Sequence, residues 1–194
     1  MVTRTRAAAL PLPAGEIRRR AGQIALVLTD NDGVLTDTGV YYSDAGEMLK
    51  RYSVRDGMGM QLLHESGIET GIVSAETSGN LRRRAEKQRI CRLYLGVKDK
   101  RSCLAQILRE TGLELHQLAY IGDDVNDAGI LEAIGKAGLT GAPADAVPSI
   151  RRLAHHVCTS PGGHGAFREF ADWILSERGR SAPSVGTRKR ADGV

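Results

Sequence analysis

The sequence predicts an α/β fold, in which helices cover both faces of a doubly wound, mostly parallel β-sheet. Short apolar runs of strand length alternate with longer stretches that have helical spacing, a pattern typical of parallel sheets. The chain has 194 residues, of which 41% are hydrophobic and 26% are charged. We therefore expect one domain of ordinary size with a full hydrophobic core.

Each predicted strand is a short apolar run that ends at a polar or turn-forming residue. The predicted strands are residues 24–30, 69–74, 92–95, 118–122, 137–140 and 155–158. The predicted helices lie between them at residues 56–66, 78–89, 100–111, 126–134, 146–153 and 165–177.

One segment departs from this alternation. Residues 40–42 and 48–52 have strand composition and flank the polar stretch 43–47, which predicts a β-hairpin. The hairpin region, about residues 34–55, follows the first strand, so it could form a flap over the carboxyl end of the sheet. A plain edge hairpin is the alternative.

The net charge of +4 is located in the ends of the chain, because residues 1–20 carry +4 and residues 177–194 carry +3. We therefore expect a folded domain at residues 22–176 between two disordered basic tails, 1–21 and 177–194. The folded part is acidic, and the chain has one Trp and two Phe. Nucleic-acid binding is not expected from this composition.

No apolar run approaches the ~20 residues of a membrane-spanning helix. Pro11 and Pro13 interrupt the arginine-containing N-terminal stretch, which makes it a poor signal peptide. We expect a cytoplasmic protein with no membrane partner. The three cysteines are odd in number and have no metal-ligand spacing, so reduced thiols are expected.

Two carboxylates, Asp30 and Asp32, follow the first predicted strand in the sequence Asp-Asn-Asp-Gly. Side chains two positions apart start on the same face of a strand, so one carboxylate could attack phosphorus while the other moves a proton. A plain turn is the alternative, since Asp and Gly favour turns. A calcium-binding EF-hand loop is excluded, because Leu28 and Gly39 occupy positions where it needs oxygen ligands.

Other polar groups follow the later strands. Ser74 ends the second predicted strand and could hold a phosphoryl oxygen, or it could cap the next helix. Lys100 is predicted at a helix start, where a cation is unfavourable without an anionic partner; a solvated lysine is the alternative. Asp123, Asp124 and Asp127 follow the strand at 118–122. Carboxylates from two strand ends form an oxygen site suited to Mg²⁺, although an acidic helix start is also possible.

Together these motifs resemble the haloacid dehalogenase superfamily of phosphohydrolases, in order and spacing over residues 24–127. The resemblance implies a Rossmann-like sheet, Asp30 as the nucleophile and Asp32 as the general acid and base. It also implies Mg²⁺ held by Asp30, the main-chain carbonyl of Asp32, and Asp123. Ser74 and Lys100 would bind the phosphoryl group, with Asp124 and Asp127 in support.

The chain has no room for an inserted cap domain and looks like the capless branch of the superfamily. Over about residues 22–176 it is similar to the phosphatases of 2-keto-3-deoxy sugar-acid phosphates. These relatives are usually homotetramers in which a neighbouring subunit helps to complete each site. The resemblance therefore implies a homotetramer here, with each site completed by a neighbouring subunit.

Substrate choice is predicted from few positions. Glu76 and the basic run that contains Arg84 and Lys87 resemble the enzymes for nine-carbon acids, 2-keto-3-deoxynononate (KDN) and N-acylneuraminate 9-phosphates. We therefore expect one of these substrates. The alternative is the eight-carbon 3-deoxy-D-manno-octulosonate (KDO) 8-phosphate. Ala75 and Thr77 match neither pattern.

Two further segments match the same relatives. Asp56, in residues 52–59, and Arg168, which follows the glycine-rich turn at 161–165, are expected to contact substrate. His164 departs from the Arg or Glu expected in that turn, and a simple loop histidine is the alternative. A non-catalytic regulatory module on the same scaffold is the remaining alternative, although such modules usually lack one of the motif carboxylates.

Overall fold

The computed structural model describes residues 12–179 and contains a six-stranded parallel sheet. Across the sheet the strands lie in the order β5 (Arg92–Leu95), β4 (Glu69–Ser74), β1 (Leu26–Thr29), β6 (Leu118–Ile121), β7 (Leu139–Ala142) and β8 (His156–Val157). The chain adds strands first on one side of β1 and then on the other. The carboxyl ends of β4, β1 and β6 therefore meet where ligands bind in doubly wound sheets. The predicted fold class is confirmed.

Helices pack on both faces of this sheet and form two cores. One core contains residues of α1 (Ala14–Ala21), α2 (Val54–Glu65), α3 (Gly79–Gln88) and α7 (Ala166–Glu177), and the other contains residues of α4 (Leu104–Thr111), α5 (Ala128–Gly135) and α6 (Pro148–Arg151). In β1, Val27 belongs to the first core, whereas Leu26 and Leu28 belong to the second. This alternation follows from the two-residue period of a strand and buries β1 on both faces.

Some element boundaries differ from the predicted ones. Helix α4 begins at Leu104 and not at residue 100, because the oxygens of Asp99 accept hydrogen bonds from Arg101 and Ser102 and form a turn. Lys100 lies in that turn and is fully buried. The expectation that Lys100 opens a helix is therefore wrong.

The strand predicted at 137–140 is observed at Leu139–Ala142. The main-chain N–H groups of Ala137 and Gly138 both donate to the carbonyl of Ile134, so these two residues form the turn that follows α5. Similarly, a 3₁₀ turn at Val125–Asp127 precedes α5, which begins at Ala128.

The predicted hairpin is formed by β2 (Thr36–Ser43) and β3 (Gly46–Tyr52), which pair with each other in an antiparallel sheet of their own. It is therefore not an edge of the main sheet. The Glu47 carboxylate accepts hydrogen bonds from the Ser78 hydroxyl and the Asn80 side-chain amide. These contacts fasten the hairpin to the start of α3, beside the carboxyl end of β4.

The N-terminal helix α1 corrects the expected extent of the disordered tail, because residues 14–21 are ordered against the domain. The Arg20 guanidinium donates to the main-chain carbonyls of Gly135 and Gly138 at 3.0 and 2.9 Å. A buried cation at the C-terminal end of α5 satisfies carbonyls that have no partner within that helix. The tail predictions for 1–11 and 180–194 lie outside the described residues.

Asp56 is 2% exposed and joins the start of α2 to the start of α7. Its carboxylate accepts hydrogen bonds from the main-chain N–H groups of Gly165 and Arg168 at 3.3 and 3.0 Å. Burial raises the pKa of this carboxyl group, although the backbone donors oppose the shift. The oxygens of Asp56 are used inside the protein, which favours a structural role, and its expected contact with substrate stays a prediction.

Within residues 12–179 no helix combines the length and the apolar character needed to cross a membrane. Cys103 and Cys158 are buried, Cys91 is exposed, and all three are free thiols.

We expect Asp56→Ala to lower the free energy of unfolding by about 1–3 kcal/mol, because the buried N–H groups at the start of α7 lose their acceptor. Urea denaturation measures this change. Asp44→Ala, in the exposed hairpin turn, is the control and should change stability by less than ~0.5 kcal/mol. A stable Asp56→Ala variant with a raised KM for phosphate ester would restore the substrate-contact interpretation.

Candidate active site

The sequence-predicted catalytic groups converge in a pocket at the carboxyl ends of β1, β4 and β6. The pocket has a volume of about 250 Å³. Its lining includes Asp30, Asp32, Ser74, Glu76, Asp123 and Asp124. The convergence follows from the parallel sheet, which places the residues after each strand at the same edge.

Asp30 lies directly after β1 and is held from two sides. The main-chain N–H of Asn31 donates to Asp30 Oδ1 at 2.6 Å, and Lys100 Nζ lies 2.6 Å from Oδ2. Burial, together with repulsion from Asp127, raises the pKa of Asp30 to about 8, although Lys100 opposes the shift. A carboxylate in this setting is fixed in one orientation and needs positive charge beside it.

Lys100 supplies part of that positive charge. Its ammonium is completely buried and also donates to Asp127 Oδ1 at 2.7 Å. Burial alone would lower the pKa of Lys100, but the carboxylates of Asp30 and Asp127 outweigh that effect and raise it. Lys100 is therefore a cation at the reaction centre and not a solvated surface lysine.

Asp127 organises the loop after β6. Its Oδ1 also accepts from the Tyr120 hydroxyl at 2.6 Å, while its Oδ2 accepts from the main-chain N–H groups of Asp123 and Asp124 at 3.0 and 3.3 Å. Because these donors occupy both oxygens, Asp127 is suited to support Lys100 and the loop. Asp124 caps the following 3₁₀ turn by accepting from Val125 N, and it is exposed.

The donor set fits a divalent cation. Oxygens of Asp30, Asp123 and Asp127 lie within 4.8 Å of one another, and Asp123 Oδ1 is buried without a hydrogen-bond partner. Burial, followed by repulsion from Asp127, raises the pKa of Asp123 to about 7. Asp30, Asp123 and the main-chain carbonyl of Asp32 are the groups that would hold the ion, since an all-oxygen set suits Mg²⁺.

Sequence reasoning missed Lys50, which lies on β3 and pairs with Asp32. Lys50 Nζ is 2.9 Å from both Asp32 oxygens, and the Lys50 side chain is 2% exposed. No motif marks a single lysine in a hairpin strand. The only sequence signal was the prediction that this hairpin covers the site.

Ser74 and Glu76 approach the pocket from the end of β4. Ser74 is 1% exposed, and its hydroxyl oxygen accepts from Glu76 N at 3.1 Å. The hydroxyl hydrogen remains available for a bound anion, because the hydroxyl group can both donate and accept. Glu76 itself is exposed at the pocket rim.

Three residues expected at the substrate do not line this pocket. Arg84 donates to the Ser53 carbonyl at 2.8 Å and lies over the Tyr52 ring. Lys87 lies along a separate groove beside α2. Arg168 pairs with Asp172, one turn further along α7, at 2.7 Å. None of the three reaches the pocket of its own chain, because Arg84 is held against the start of α2 and Arg168 is paired within α7. Their contact with substrate stays a prediction.

The glycine-rich turn packs against the loop after β1 within the same chain. The N–H of Gly163 donates to the Val34 carbonyl at 2.9 Å, and a Cβ added to Gly162 would lie 2.0 Å from the Gly33 carbonyl oxygen. Glycine is thus required by backbone contact. His164 is exposed at this turn, 3.3 Å from Arg51 Nη1, so it lies beside the hairpin.

Gly33 allows Asp123 to approach the loop after β1. A Cβ at Gly33 would lie 1.9 Å from Asp123 Oδ2, and Gly33 has a φ of +85°. We expect Gly33→Ala to reduce kcat/KM for phosphate esters by about 100-fold or more, since a displacement of ~1 Å at a reaction centre costs that much. Steady-state kinetics in Mg²⁺ buffer would measure the loss.

The matched control is Gly112→Ala. Gly112 also has a positive φ, +68°, but an added Cβ would meet nothing within 4 Å. This variant should lose some stability through backbone strain and keep its kcat/KM. Similar activity in both variants would contradict the assigned contact between Gly33 and Asp123.

Comparisons with known proteins identify the family to which the chain belongs. The chain is 37% identical over 166 residues to the 3-deoxy-D-manno-octulosonate 8-phosphate phosphatase KdsC of Haemophilus influenzae, which covers 86% of this chain and 91% of the relative. A cobalt-bound structure of the phosphatase from that organism matches with a TM-score of 0.79 and 37% identity, covering 84% of this chain and 93% of that chain.

A second solved structure is the 3-deoxy-D-manno-octulosonate 8-phosphate phosphatase of Moraxella catarrhalis in complex with magnesium, phosphate and KDO. It matches with a TM-score of 0.79 and 33% identity, covering 85% of this chain and 93% of that chain. No protein-family model matches the chain. The extent and level of these identities show that the chain belongs to the KdsC-type, capless phosphatases of the haloacid dehalogenase superfamily.

Proposed function

We propose that this protein is a Mg²⁺-dependent phosphatase that hydrolyses KDO 8-phosphate. The observation that carries the chemistry is the buried set of Asp30, Lys100 and Asp123, with one oxygen of Asp123 left without a partner. The substrate is supported by the activity for which the KdsC relatives are named and by the KDO and phosphate in the Moraxella catarrhalis structure.

In the first chemical step a carboxylate oxygen of Asp30 forms a bond to phosphorus while the bond from phosphorus to the sugar oxygen breaks. Asp32 gives a proton to the departing sugar oxygen, which leaves as an alcohol. Ser74 donates a hydrogen bond to a phosphoryl oxygen, and Lys100 stabilises the negative charge on Asp30 and the phosphoryl group. Mg²⁺, if held by Asp30, Asp123 and the main-chain carbonyl of Asp32, would supply further positive charge at the site.

In the second step a water oxygen forms a bond to phosphorus and the bond to Asp30 breaks. Asp32, now a carboxylate, accepts the proton of that water and returns to its starting form. Inorganic phosphate leaves, and Asp30 is restored. The complete set of acid, base, nucleophile and cation within residues 12–179 favours an enzyme over a non-catalytic regulatory module.

The nine-carbon substrates remain the second candidate but have less support. That prediction used Glu76, Arg84 and Lys87, of which only Glu76 lines the pocket. Arg84 and Lys87 lie along α3, directed toward α2 or a separate groove. Neither side chain reaches the pocket of its own chain, so these residues could support a nine-carbon substrate only from a neighbouring subunit. The named activity of the relatives favours the eight-carbon acid.

We expect phosphate release in Mg²⁺ buffer, with a kcat/KM for KDO 8-phosphate at least about 10-fold above that for KDN 9-phosphate and N-acetylneuraminate 9-phosphate, a difference of ~1.4 kcal/mol. Asp30→Asn should abolish turnover because the amide cannot act as the nucleophile. Preference for a nine-carbon acid would refute the proposed substrate. Full activity in Asp30→Asn would refute the mechanism.

We also propose that the protein forms a homotetramer through its hairpin, with a neighbouring subunit completing each pocket. The hairpin exposes large apolar side chains: Tyr41 is 64%, Tyr42 71%, Met48 54% and Leu49 58% exposed. Tyr41 and Leu49 are cross-strand partners. Exposed apolar side chains that pair across two strands are typical of a protein interface, and the hairpin lies next to the site. The cytoplasmic location of the protein also stays a prediction.

Sedimentation analysis should give a mass about four times 20.9 kDa. Leu49→Lys should shift this mass toward the monomer, because a charge in an apolar interface is costly. Val157→Lys replaces an exposed residue on the distant edge strand β8 and should leave the mass unchanged. A monomeric wild-type protein at micromolar concentration would contradict this proposal.

A further inference from the structure

The hairpin contributes more than a surface, since β3 brings the ammonium of Lys50 to the carboxylate of Asp32. Lys50 Nζ donates to Asp32 Oδ1 and Oδ2, both at 2.9 Å. Only 2% of the Lys50 side chain is exposed, whereas 29% of the Asp32 side chain is exposed toward the pocket. The lysine is thus enclosed behind the carboxylate, and the carboxylate faces the place where substrate would bind.

The two oxygens of Asp32 have different surroundings. Oδ1 also accepts from the Asn31 side-chain amide at 3.0 Å and from the Thr36 hydroxyl at 3.2 Å, so three donors surround it. For Oδ2, Lys50 is the one donor found among residues 12–179. A carboxylate oxygen accommodates about two strong hydrogen bonds. Oδ2 is therefore the oxygen with capacity left to carry a proton.

Lys50 is itself held in place by the fastening of the hairpin. Glu47 Oε2 lies 3.5 Å from Lys50 Nζ, and the other Glu47 oxygen accepts from Ser78 and Asn80 at the start of α3. A chain of contacts therefore runs from the start of α3, through Glu47 and Lys50, to Asp32. The position of the hairpin determines where the lysine lies.

We propose that Lys50 is a positioning residue for the proton transfer. It fixes the rotamer of Asp32 and directs Oδ2 toward the leaving-group oxygen of the substrate. The proposal rests on the proposed phosphatase function. When Oδ2 gives up its proton to the departing oxygen, the ammonium of Lys50 already lies against the carboxylate that forms. No rearrangement is then required at that moment.

The test compares Lys50→Met with wild type on two esters whose leaving groups need a proton to different extents. The sugar of KDO 8-phosphate departs as an alcohol, so its leaving oxygen needs a proton. The leaving group of p-nitrophenyl phosphate departs as a stable phenolate and does not need one. The constant kcat/KM reports the steps up to transfer of the phosphoryl group to Asp30. We expect a loss of about 10- to 100-fold on KDO 8-phosphate and of less than about 3-fold on p-nitrophenyl phosphate.

Two further variants control for charge and folding. Lys50→Arg should recover most of the activity on KDO 8-phosphate, because a guanidinium can also donate to both carboxylate oxygens. Lys136→Met removes an exposed lysine at the end of α5 and should match wild type on both esters. Thermal unfolding checks that each variant is folded.

An equal loss on both esters would overturn the proposal, since a merely structural role lowers both alike. Wild-type kinetics in Lys50→Met would overturn it as well. If wild type hydrolyses p-nitrophenyl phosphate but not KDO 8-phosphate, the proposed substrate fails, and the Lys50 comparison is made with another alkyl phosphate. Absence of phosphate release by wild type from any ester would overturn both proposals.

Discussion

The buried ammonium of Lys100 is the interaction on which the site depends. It lies 2.6 Å from Asp30 and 2.7 Å from Asp127 and has no exposed surface. Three carboxylates from two strand ends meet in this small space, and like charges at such distances repel strongly when buried. Lys100 offsets part of that repulsion. The unsatisfied oxygen of Asp123 indicates where a second cation would offset the rest.

The close approach of backbone segments sets the geometry around this charge cluster. Gly33 lets Asp123 come against the loop after β1, and Gly162 lets the glycine-rich turn lie on the Gly33 carbonyl. The carboxylate of Asp56 in turn fixes the start of α7 directly after that turn. Backbone contacts that tolerate no added Cβ therefore determine how closely Asp123 and the glycine-rich turn approach the loop after β1.

The hairpin connects the site to a surface. On its inner side Lys50 contacts Asp32, and on its outer side Tyr41 and Leu49 are exposed. If a second copy covers the outer side, association and the orientation of Asp32 depend on the same two strands. Such an arrangement would give a capless phosphatase a way to enclose a small substrate without an inserted domain.

Sequence alone determined the sheet and the place of the site at its edge, because hydrophobic periodicity and strand-end motifs are local properties. It also determined which groups lie at the strand ends: Asp30, Asp32, Ser74 and Asp123. Only the tertiary structure decided where Asp56, Arg84 and Lys87 lie. It also decided that α1 packs against the domain and that Lys50 contacts Asp32. Each depends on which distant segment packs beside it: α7 for Asp56, α2 for Arg84, and the hairpin's fastening to α3 for Lys50. Charge and local pattern do not reveal whether a side chain meets solvent, substrate or another helix, because that depends on contacts between residues far apart in the chain.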